Sequence, residues 1–182
     1  DDVRETLTRL RKETERNKRE SDKSLENLKR KSEDNKRKIE ESLKNMKRRI
    51  DEVKRRAEKD GPNEDELRKL KEELKRYLDR LREELERSVK EATEYVRRHE
   101  RRLRESLKDL KRKLEDLDRR GLPEEVKKEL DEILRRHKEV LRESERRLEK
   151  LLRDHRRRLE EALEEHKKLI DEAEETLKRI RD

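Results

Sequence analysis

The stretch KDGPNEDE, residues 59–66, decides how this chain folds. Gly61 suits the left-handed position just past a helix C-terminus, and Pro62 stops the helix from continuing. Asn63 followed by Glu66 has the spacing of a capping box, in which side chains take up the free N–H groups that open the next helix. One other break exists: RRGLPEEV, residues 119–126, where Gly121 again suits the position past a helix end and Pro123 suits the first turn of the next helix. These two stretches hold both glycines and both prolines of the 182-residue chain. The sequence between them is dominated by Leu, Glu, Lys and Arg, which lose little side-chain freedom in a helix. The reading is an all-α chain with helices at about 3–59, 64–119 and 123–181, and loops at about 60–63 and 120–122. Short loops make successive helices antiparallel neighbours. We expect a single up-down-up three-helix bundle over residues 1–182.

The apolar period adds detail to that expectation. Leu67, Leu85 and Leu103 recur every 18 residues, as do Ile133, Leu151 and Leu169, and Leu7, Leu25 and Leu43. Eighteen residues are about five turns of 3.6, the twist of a straight helix, whereas a sustained heptad forces a supercoil. Straight, untwisted helices are therefore expected. Regular lengths, the minimal loops DGPNEDE and GLPEE, and an outside of Glu, Lys and Arg complete the pattern. Over its whole length the chain resembles de novo designed, parametrically generated helical bundles. The resemblance is one of style and brings no catalytic residue with it.

Composition narrows the possible partners. Charged residues make up 62% of the chain, but the 60 basic and 52 acidic ones are mixed at every scale. The formal charge of +8 therefore gives no directed field. Phe and Trp are absent, so only Tyr77 and Tyr95 could stack a base, which argues against nucleic-acid binding. With no Cys there is no disulfide, thiolate metal site or Cys nucleophile. No apolar run approaches the ~20 residues of a membrane span. We expect no small-molecule substrate, cofactor, nucleic-acid or membrane partner. The second and third helices carry more inward apolar residues than the first. A homo-oligomer or filament through those two helices is the runner-up to a monomer.

Polar residues interrupt the inward stripe. In KSEDNKRKIEES, residues 31–42, the inward positions are Ser32, Asn35 and Ile39. The first helix also places Thr14, Asn17, Ser21 and Ser42 there, with Ser24 at its edge. The second contributes Ser88, His99 and Ser106, flanked by Tyr77, Thr93 and Tyr95, and the third His137, Ser144, His155 and His166. All four histidines thus share the phase of the stripe. The loops bring residues of helices 1 and 2 level when their numbers sum to about 124, and those of helices 2 and 3 at about 243. His137 is then level with Ser106 and Asn17, and His155 with Ser88 and Asn35, the same trio displaced by 18 residues. A third layer joins His99 to Ser144 with Ser21 or Ser24, and a fourth puts His166 near Tyr77. Lone buried polar groups cost ~1–3 kcal/mol, so such residues belong in connected networks.

A layer of Ser, His and Asn invites a catalytic reading, but packed helices offer neither an oxyanion hole nor a substrate cleft. His137 and His155 stand ~27 Å apart along one helix and cannot share a metal ion. Serine and asparagine alone would specify a fold, so repeated histidine points to titration. Designed bundles with buried histidine networks are known as pH-responsive materials, and the chain looks like that type. The expected function is a structural scaffold or assembling subunit that loosens on acidification. Its alternatives are a static bundle whose networks only specify the fold, and a helical binding module.

Overall fold

A computed structural model describes residues 2–181 as three helices: α1 (Asp2–Asp60), α2 (Glu64–Asp118) and α3 (Glu124–Arg181). No strand occurs among the described residues. At the first break Gly61 has φ of 83°, a left-handed backbone open to glycine at little cost. Asn63 Oδ1 then accepts the N–H of Asp65 at 3.0 Å and that of Glu66 at 3.4 Å, capping α2. The acidic first turn, Glu64, Asp65 and Glu66, complements the positive end of the helix dipole. At the second break Gly121 has φ of 68°, and its N–H reaches Asp118 O at 3.2 Å. Pro123, which has no N–H to waste, uses its carbonyl to accept from Val126 and Lys127, both at 3.1 Å.

The chain divides into two compact units, each containing a piece of every helix. The first comprises Asp1–Lys29 with Ala92–Leu152, and the second Arg30–Glu91 with Arg153–Asp182. Within the first unit, the start of α1 packs Leu7 and Leu10 against Leu110, Leu114 and Leu117 of α2 and Leu130 and Ile133 of α3. A second apolar cluster joins Leu25 and Leu28 to Ala92, Val96, Leu148 and Leu152. Thr14, Asn17 and Ser21 are buried on α1 between these clusters. The second unit repeats the plan. Met46, Ile50 and Val53 pack on Leu70, Leu74 and Ala173, while Leu81, Leu85 and Ala162 form a smaller cluster with Ile39 and Leu159 at its edge. Both units show antiparallel packing of α1 on α2, so the chain is an all-α, up-down-up three-helix bundle. No large apolar side chain among the described residues is exposed.

Candidate functional site

The four histidines are almost completely buried: His99 is 6% exposed, His137 1%, His155 3% and His166 0%. Each is carried into the interior by a helix phase made mostly of Leu, Ile, Val and Ala, and each meets polar partners from α1.

His137 Nδ1 lies 3.3 Å from Thr14 Oγ1. That hydroxyl spends its only hydrogen on Leu10 O at 3.0 Å, one turn back along α1. The ring must therefore donate from Nδ1, which fixes its tautomer. Asn17 stands aside from this ring. Its Nδ2 donates to Ser106 Oγ at 2.7 Å, and Ser106 donates to Glu13 Oε1 at 3.5 Å. The second unit holds the same amide–hydroxyl pair displaced by 18 residues: Asn35 Nδ2 donates to Ser88 Oγ at 2.8 Å. Here the amide also faces His155 Nδ1 at 3.5 Å. Ser32, the counterpart of Thr14, is engaged by the Arg158 guanidinium instead. A cavity of about 10 Å³ remains beside His155, large enough for about one water molecule.

His99 ends a chain of hydrogen bonds. Asn27 donates to Tyr95 Oη at 3.3 Å, and Tyr95 donates to Ser24 Oγ at 3.1 Å. The Ser24 hydroxyl is left to donate to His99 Nδ1 at 3.4 Å, so Nε2 bears the hydrogen and donates to Ser21 Oγ at 3.0 Å. His166 has the opposite tautomer. Its Nδ1 donates to Ala162 O at 2.7 Å, a carbonyl one turn earlier in α3, and Nε2 accepts from Ser42 at 3.0 Å.

Burial is the largest influence on three of the rings and pushes their pKa values below the ordinary imidazole range. Glu20 opposes the shift at His99 while Arg102 adds to it. Glu13 opposes it at His137. The Ala162 carbonyl and Glu165 oppose it at His166.

Several partners differ from those inferred from loop register. His137 pairs with Thr14 rather than with Asn17 or Ser106. His166 pairs with Ser42, while Tyr77 is half-buried and packs against the apolar cluster around Leu70 and Leu74. Ser144 is buried, yet the hydrogen bonds of His99 go to Ser21 and Ser24. The α1 partners of His137 and His166 share one register. The separations Thr14–His137 and Ser42–His166 are 123 and 124 residues, whereas counting through both loops gives about 119. His137 and His166 thus each meet the inward position of α1 about one turn earlier than counted, while His155 meets Asn35 at 120, close to the counted register. Glu100, buried next to His99, escaped the sequence reading because charge is the background of this chain.

No protein-family model and no curated protein matches the chain. A solved structure does, one described as "Computationally designed three helix bundle". It is 17% identical, with the alignment covering 99% of this chain and 90% of that one, at a TM-score of 0.53. At such identity the likeness speaks for the fold.

Chemically, the layers hold and orient protons. Ser42 on His166 Nε2 has the hydrogen bond of a base-activated hydroxyl, but it sits mid-helix, where neighbouring N–H groups are spent on the α1 ladder and none is left to bind an oxyanion. No group of three or more His, Asp or Glu side chains among the described residues could hold a metal ion. No described helix is long and apolar enough to cross a membrane.

Proposed function

We propose that this protein is a designed, non-enzymatic structural bundle whose buried histidine layers fix the fold near neutral pH and loosen it on acidification. The observation that carries this reading is the enclosure of all four imidazoles among hydroxyl, amide and carbonyl groups. That the similar solved structure is a computationally designed three-helix bundle agrees with a designed origin.

Protonation acts differently on each ring. In His166 it turns the accepting Nε2 into a donor aimed at the Ser42 hydroxyl. In His99 it places a new N–H against Ser24, whose hydrogen already points at the ring. In His155 it sets a ring N–H against the Asn35 amide N–H. His137 keeps its donation to Thr14, but the added proton makes Nε2 a second donor on a buried ring and puts a charge there. The charged groups nearby do not cancel that cost. Glu13 and Glu20 face the rings from α1, and Glu165 lies beside His166 on α3, but burial outweighs them. Arg102 on α2 and Arg158 on α3 add positive charge near His99 and His155.

A depressed imidazole contributes stability that is complete above its unfolded pKa of ~6.5 and lost as pH falls through the folded value. Each pH unit of depression is worth about 1.4 kcal/mol. The test is the guanidinium unfolding midpoint at pH 7.5 and at pH 5.0, above the ordinary carboxylate range. It should fall in acid, and a variant with His99, His137, His155 and His166 all replaced by Gln should lose that fall. Equal midpoints at the two pH values would leave only the static, fold-specifying role. The buried state of the large apolar side chains favours a monomer over a filament, so sedimentation should give one monomeric species at both pH values.

A further inference from the structure

Among the described residues, the histidine layers leave one buried titratable group unused. Glu100 follows His99 in α2, is 7% exposed, and turns to the seam with α3. Arg97, one turn earlier, sends Nη1 to Glu100 Oε2 at 3.1 Å, and the same nitrogen to Glu149 Oε1 of α3. Two carboxyl groups therefore converge on one guanidinium nitrogen. The other oxygen, Glu100 Oε1, is buried without a hydrogen-bond partner among the described residues. If both groups were ionised, the site would hold an excess negative charge and a stranded acceptor beside another acceptor, and both are costly out of water. One proton removes both costs.

We propose that Glu100 and Glu149 form a proton-sharing acid pair, in which Glu100 Oε1 carries the proton and donates it to the Glu149 carboxylate while Arg97 bonds to both. The surroundings agree. Burial is the largest influence raising the Glu100 pKa, Glu149 raises it further, and Arg97 opposes. Arg104, the next cation along α2, is occupied at 2.9 Å by Glu145 of α3. On the α1 side the neighbouring titratable group is His99, held by Ser21 and Ser24. A carboxyl whose folded pKa is raised contributes stability that is complete below its unfolded value of ~4.3 and lost as pH rises through the folded value. Acid therefore tightens this seam while it weakens the histidine layers.

Carbon-13 NMR of the glutamate carboxyls tests the pair directly. Glu100 and Glu149 should titrate together in two steps, the upper one above the transition of the surface glutamates. E100Q reproduces the protonated shape, with an amide N–H for Glu149 and a carbonyl for Arg97. Its guanidinium midpoint should exceed the parent's at pH 7.5, and the gap should close by pH 4. Titration of Glu100 together with the surface glutamates, or an E100Q midpoint no higher than the parent's at pH 7.5, overturns the proposal. The same titration in the histidine-free variant keeps this result separate from the fate of the histidine reading.

Discussion

At the scale of single residues, what matters is where each hydrogen sits. Thr14 and Ser42 both bond a buried imidazole through a hydroxyl, yet they play opposite parts. Thr14 accepts from the Nδ1–H of His137, and that N–H exists in both charge states of the ring. Thr14→Val should therefore cost about 1–3 kcal/mol at pH 7.5, the range for an orphaned buried donor, and no less at pH 5.0, where a charged ring donates more strongly. Ser42 donates to a nitrogen that is an acceptor only while His166 is neutral. Ser42→Ala should cost about 1 kcal/mol at pH 7.5 and less at pH 5.0, since the charged ring has no lone pair for the hydroxyl to serve. Guanidinium titrations of both variants at the two pH values check the contrast. The candidate residues were legible in the sequence because serine, asparagine and histidine stand out in a leucine phase. Their hydrogen polarity was not, since it depends on the Leu10 and Ala162 carbonyls, which no side-chain pattern reveals.

At the scale of helices and turns, the two glycines have no neighbour within 4 Å of where a Cβ would sit. Gly61→Ala therefore meets only backbone strain and should lose about 1 kcal/mol, read as a lower unfolding midpoint. Asn63→Ala should lose a similar ~1 kcal/mol, because the Asp65 and Glu66 N–H groups lose their cap. The helices and both breaks were readable because Gly, Pro and Asn act locally, within a turn of themselves. The pairing of α1 with α3 was readable only to within one turn. It is set by how Leu7 and Leu10 seat on Leu130 and Ile133 in one unit, and by how Met46 and Ile50 pack with Ala173 in the other. Such packing is a three-dimensional fit, and loop counting does not capture it.

At the scale of the whole chain, protonating four histidines takes the formal charge from +8 to +12. Acid loosening could thus arise from general repulsion or from the buried rings themselves. Salt separates the two, because exposed charges are screened beyond roughly 8 Å at physiological ionic strength while enclosed ones are screened far less. If the rings govern, the difference between the midpoints in urea, which is uncharged, at pH 7.5 and pH 5.0 should survive sodium chloride at several times that ionic strength. Restoration of the acid midpoint by salt would point to general repulsion. Glu100 belongs to this scale as well. In a chain that is 62% charged, a single buried glutamate carries no mark in the sequence, and only the convergence with Arg97 and Glu149 sets it apart.

The bond from Tyr95 to Ser24, and through it to His99, has a practical consequence. The chain has no tryptophan and two tyrosines, so its ultraviolet emission comes from Tyr77 and Tyr95 alone. With Tyr77 replaced by Phe, the remaining phenol becomes a built-in optical probe wired to one imidazole, and its brightness should follow that ring's charge without any added dye.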